Sequence, residues 1–104
     1  MEEKDLIGST WFMKNSCANI EDEVVTLSPD HELIDTGNPR EVQFWQLKDH
    51  ILILSFNNGY STYRGVIKGD QYYGYAENIL GEKWKFKAYL IGNKSFAGYK
   101  IRKS

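Results

Sequence analysis

The sequence predicts an all-β protein: an antiparallel up-and-down meander barrel of eight or nine short strands, preceded by a short helical turn. Three observations predict it. First, residues 82–90 read Glu-Lys-Trp-Lys-Phe-Lys-Ala-Tyr-Leu. Side chains in a strand alternate between faces. Trp84, Phe86, Ala88 and Leu90 therefore share one face, and Lys83, Lys85, Lys87 and Tyr89 share the other, so one face is core and the other faces water. Second, no helical periodicity of useful length interrupts the chain. Third, turn-forming residues recur at short, regular intervals. Short connections favour sequential antiparallel pairing. Closing eight strands on themselves removes the exposed edges, which favours a barrel over a sandwich.

Taken in order, residues 2–7 have room for one helical turn before Gly8. Ser9–Asn15 reads as the first strand, with Trp11 and Met13 on one face and Thr10, Phe12 and Lys14 on the other. Residues 16–23 are polar and acidic and read as a loop. Residues 24–28 are rich in β-branched side chains and form the second strand. Ser28-Pro29-Asp30-His31 is a turn, because proline presets its φ and Ser and Asp favour turns. Residues 32–35 are a short third strand, broken by Thr36-Gly37-Asn38-Pro39. Residues 41–47 follow as the fourth, with Gln43, Trp45 and Leu47 on one face. After Lys48-Asp49-His50, Ile51–Phe56 is a strand apolar on both faces. Asn57-Asn58-Gly59 is the strongest hairpin signal, since these residues accept the positive φ of a type I′ turn. Residues 60–67 and 71–76 are strands six and seven, joined by Lys68-Gly69-Asp70. The Trp84 strand is the eighth. Gly92-Asn93-Lys94 is expected to turn the chain into a ninth strand over residues 95–101, and residues 102–104 to form a frayed basic end.

A chain of 104 residues is one domain, 1–104. The longest aliphatic run, Ile51 to Leu54, is far too short for a membrane helix. The opening Met-Glu-Glu-Lys-Asp lacks the basic and apolar segments of a secretory signal, and Cys17 has no partner for a disulfide, so a cytoplasmic protein is expected. Charge is divided unevenly: residues 1–50 balance to −7 and residues 51–104 to +6. Such a division arises when the two halves neutralise each other side by side. It also suits self-association, or a basic face for an anionic partner.

With the Trp84 face as interior, the matching phases on the other strands select Trp11, Met13, Leu27, Leu33, Trp45, Leu47, Leu52, Leu54, Tyr63, Ile67, Tyr72 and Phe86, together with the small residues Gly65, Gly74, Ala76 and Ala88. Glycines facing inward either leave space or admit a bulky neighbour. An eight-stranded barrel is just wide enough to be filled by side chains or to hold one small ligand. The three tryptophans take up much of that volume, so a filled core and a small cavity open at one end both remain open, and a large lipid-sized cavity is not expected. If there is a pocket, its expected lining is Trp45, Tyr63, Tyr72 and Trp84, whose phenols would need hydrogen-bond partners.

The stretch Leu6-Ile7-Gly8-Ser9-Thr10-Trp11, followed by a meander barrel, resembles the start of a small calycin, the superfamily of lipocalins and avidins. That family opens with Gly-x-Trp on its first strand after a short helical turn. Here Gly8 stands three residues before Trp11, and Ser9 occupies the glycine place. The resemblance implies binding of small, largely apolar molecules inside the barrel. It also implies a late basic residue against the tryptophan, Lys100 or Arg102 in this chain.

No catalytic or metal signature stands out. His31 and His50 fall in turns, and Cys17 in a polar loop with no oriented base. Glu21-Asp22-Glu23 lacks the spacing of a calcium loop. The lysine row with Tyr89, and with Tyr60, Tyr73, Tyr75 and Tyr99 as further rings, has the chemistry of a single-strand binder, but a net charge of −1 counts against nucleic acid as a partner. Tyrosines between lysines also suit a homodimer surface. The expected function is a non-enzymatic barrel, without cofactor, that binds a small apolar or aromatic ligand. The alternative is a filled barrel acting as an interaction or inhibitor module through its outer face, as a homodimer.

Overall fold

The computed structural model describes residues 2–16, 20–35 and 43–93. A 3₁₀ turn, Glu3–Asp5, precedes β1 (Ser9–Asn15), β2 (Glu23–Leu27), β3 (Leu33–Asp35), β4 (Phe44–Lys48), β5 (Ile51–Phe56), β6 (Ser61–Lys68), β7 (Gln71–Asn78) and β8 (Lys83–Asn93). All pairings are antiparallel in one sheet of order β3-β2-β1-β8-β7-β6-β5-β4. The chain is thus an all-β meander whose first and last described strands meet. The strands at the two ends of this order, β3 and β4, are tied by the bridge Glu32↔Phe44. Leu33 N–H donates to the Gln43 carbonyl (3.0 Å) and Trp45 N–H to the His31 carbonyl (2.7 Å), so the barrel is nearly closed.

The expected boundaries of β1 and β5 coincide with the observed ones, and those of β2 and β6 are displaced by one residue. One turn is misplaced. Gly92 and Asn93 do not leave the sheet; they pair with Thr10 and Ser9 on β1. Closure against β1 gives these backbone groups ladder partners, which outweighs the local turn tendency of Gly-Asn. The register shifts between Thr10 and Trp11, so Ile91 is the extra residue of a bulge. The expected ninth strand and the basic end lie outside the described residues, as does Cys17. The Asn57-Asn58 signal holds: both take positive φ (49° and 54°), and Gly59 N–H closes the turn on the Phe56 carbonyl at 3.1 Å.

The core follows the expected alternation. Trp11, Met13, Leu27, Leu33, Trp45, Leu52, Leu54, Tyr63, Tyr72, Ala76, Trp84, Phe86 and Ala88 are buried, and Leu47, Ile67 and Leu90 pack against them partly covered. Leu6, Val25 and Phe56 join them. Gly65 and Gly74 face each other across β6 and β7. A Cβ on Gly65 would lie 2.2 Å from the Tyr73 carbonyl oxygen and 3.0 Å from the Tyr72 ring, and one on Gly74 would lie 2.1 Å from the Arg64 carbonyl oxygen. The glycines therefore permit close strand approach and seat the Tyr72 ring, which is completely buried. At this level the barrel is filled.

Candidate functional site

In a meander, alternate connections gather at opposite ends. The 3₁₀ turn and the β2–β3, β4–β5 and β6–β7 connections mark one end; the β1–β2, β5–β6 and β7–β8 connections mark the other. The first end is shut. Leu6 is buried beneath the 3₁₀ turn. Ser9 Oγ donates to the Leu6 carbonyl (2.6 Å) and accepts from Trp11 Nε1 (2.8 Å), and Trp45 Nε1 donates to the Ser28 carbonyl (2.9 Å). Outside, the His31 ring pairs with the Glu3 carboxylate and lies 5.0 Å from the Trp45 ring.

Among the described residues, the second end is a mouth with polar groups among aromatic ones. Asn15, the last residue of β1, shares the inward phase of Trp11 and Met13. Its Oδ1 accepts from Tyr63 Oη (2.7 Å) and from Trp84 Nε1 (2.9 Å). Its Nδ2 donates to the Glu21 carbonyl (3.2 Å), which ties the strand end to the β1–β2 loop. Tyr63 meets Trp84, Phe56 and Phe86 edge-to-face at 5.9, 5.0 and 4.9 Å between ring centres. Ile20, Glu23, Phe56, Tyr60, Tyr63 and Trp84 line a concavity of about 240 Å³. Nearby on β3, the buried Asp35 carboxylate takes a long contact (3.5 Å) from the Gln43 amide.

Of the four residues expected to line a pocket, Tyr63 and Trp84 come together at this mouth. Tyr72 lies deeper, its hydroxyl donating to the Leu52 carbonyl at 2.8 Å. Burial, reinforced by Tyr63, holds that phenol protonated well above the usual tyrosine range. Trp45 belongs to the shut end. Asn15, Glu23 and Phe56 were absent from the expected set. Their signal was parity: Asn15 and Phe56 continue the inward phase of their strands to the last residue, and Glu23 opens β2 in the phase of Val25 and Leu27.

The remaining candidates for chemistry stay apart. His50 is exposed in the β4–β5 turn, and Asp22 accepts from the Asn15 backbone N–H at 3.4 Å. Among the described residues, no three His, Cys, Asp or Glu side chains are placed to hold a metal ion, and no helix is long and apolar enough to cross a membrane. No protein-family model, curated protein or solved structure matches the chain.

Proposed function

We propose that this protein is a small non-enzymatic binding barrel of the calycin kind that takes a small apolar or aromatic molecule at its mouth. The observation that carries this reading is the pair Tyr63 and Trp84, held by one shared acceptor on Asn15 at the wall of the 240 Å³ concavity. A dry cavity of about 150 Å³ is enough for a benzene-sized molecule, so this volume suits a ligand of one or two rings. The filled level around Tyr72 stops it from entering further. The meander order and the 3₁₀ turn leading into Trp11 support the calycin reading. Lys100 and Arg102 lie outside the described residues.

The test is a titration with an apolar fluorescent probe, following both probe emission and tryptophan quenching. Saturable one-to-one binding, displaced by one-ring aromatics and weakened by Asn15→Leu, is expected. Cooperatively folded protein that binds no probe would refute the mouth as a ligand site.

A second reading, an interaction module working through its outer face, is favoured by a specific observation. Tyr73, Tyr75 and Tyr89 stand exposed on neighbouring strands, Tyr75 with 64% of its surface free. Sedimentation velocity would detect homodimerisation through such a face.

A further inference from the structure

The outer face of β1, β8 and β7 alternates cations with rings. Register places Phe12 opposite Tyr89, Lys14 opposite Lys87, Tyr73 opposite Lys87 and Tyr75 opposite Lys85. Lys14 Nζ stands 5.9 Å from the centre of the Phe12 ring, Lys85 Nζ 6.0 Å from that of Tyr75, and Lys87 Nζ 5.7 Å from that of Tyr89. Lys14, Lys68, Lys85, Lys87, Gln71 and Tyr73 surround a shallow concavity of about 660 Å³, and among the described residues no carboxylate lines it. Among the described residues, none of these four lysines forms an ion pair; the nearby Glu77 is engaged by Arg64 at 3.0 Å.

We propose that this face is a docking surface for single-stranded nucleic acid. The proposal rests on the outer-face reading and is independent of the mouth. A second copy is the less favoured occupant, because joining two such patches brings eight lysines together and, among the described residues lining the concavity, no carboxylate to neutralise them. A polyanion carrying flat rings fits it well: phosphates meet the lysines, and bases stack on Tyr73, Tyr75 and Tyr89 as the lysines swing from ring to phosphate. The net charge of −1 does not oppose this, because it sums the whole chain, whereas the sheet gathers four lysines around one concavity.

The experiment is fluorescence anisotropy with a labelled oligothymidylate of about twelve nucleotides, from about 50 to 200 mM salt. Binding is expected with a slope of log K on log salt of about −2 to −3, since each phosphate contact on a single strand contributes about −0.7. Lys85→Glu with Lys87→Glu should reduce that slope by about 0.7 per lysine. Tyr73→Ala and Tyr75→Ala should each weaken binding about 5- to 150-fold, the range for loss of one stacked base. These side chains are on the surface, and unchanged thermal unfolding would show that the variants fold. No anisotropy change up to about 100 µM protein, the weak end of non-specific binding, overturns the proposal. So does equal affinity for heparin with no effect of the tyrosine variants, which means ionic adhesion only. Equal affinity for polyglutamate overturns it in favour of an acidic polypeptide. Absent oligonucleotide binding alongside a concentration-dependent dimer would overturn this inference and leave the outer-face reading standing; absence of both would remove the two together.

Discussion

The two ends of the barrel hold their tryptophans by different means. At the shut end, Trp11 and Trp45 donate to Ser9, two residues away, and to the backbone carbonyl of Ser28. At the mouth, Trp84 depends on the side chain of Asn15, which is 69 positions away in sequence and also accepts from Tyr63. The shut end is built from near-chain and backbone partners, which form whenever the local fold forms. The mouth converges on one side-chain amide. A substitution there can disturb a site without dissolving the barrel, whereas the shut end offers no such separation.

The largest expected effect is at the shut end. Trp45→Ala should cost about 3–5 kcal/mol, as for other buried tryptophans. That is a large share of a typical net stability of about 5–15 kcal/mol. Urea unfolding measures it; a loss under about 1 kcal/mol would mean that Trp45 does not close the barrel. Asn15→Leu is the matching change at the mouth. It removes the shared acceptor of two buried donors and should cost about 1–3 kcal/mol while weakening probe binding. Unaltered probe affinity in this variant would erase the distinction between the ends.

Between the ends, Tyr72 makes stability depend on alkali. The folded state keeps its phenol protonated beyond the pH at which an unfolded tyrosine ionises. Its contribution is therefore complete below about pH 10 and is lost as the pH rises from there through the raised folded value. Tyr72→Phe should flatten the fall in urea midpoint between about pH 9 and pH 11. An identical fall in the variant would assign it to other groups. The smallest effect belongs to the outer latch of the shut end. His31→Ala removes an exposed side-chain hydrogen bond with Glu3 and a ring contact with Trp45. It should shift stability by no more than about 1 kcal/mol and leave probe binding unchanged.

Much of this architecture was legible because strand parity is a local property. Alternation along residues 82–90 assigned Trp84, Phe86 and Ala88 to the core and the lysines to water, as observed. The same parity assigned Tyr63 and Tyr72 to the interior, but parity does not report depth. Tyr72 reached the Leu52 carbonyl because Gly65 left room for its ring, and Tyr63 reached Asn15 at the rim. Gly92-Asn93 was misread for a related reason: their ladder partners, Thr10 and Ser9, lie at the far end of the chain.

The sequence by itself determined the all-β class, the meander order, most strand boundaries to within a residue and the inward face of nearly every strand, because alternation and turn chemistry act over a few residues. Only the tertiary structure decided where β8 ends, which end of the barrel is shut, and that Asn15 ties Tyr63 to Trp84. It alone gathered Lys14 and Lys68 beside Lys85 and Lys87. Those outcomes depend on closure of β1 against β8, which brings together residues that no local pattern connects.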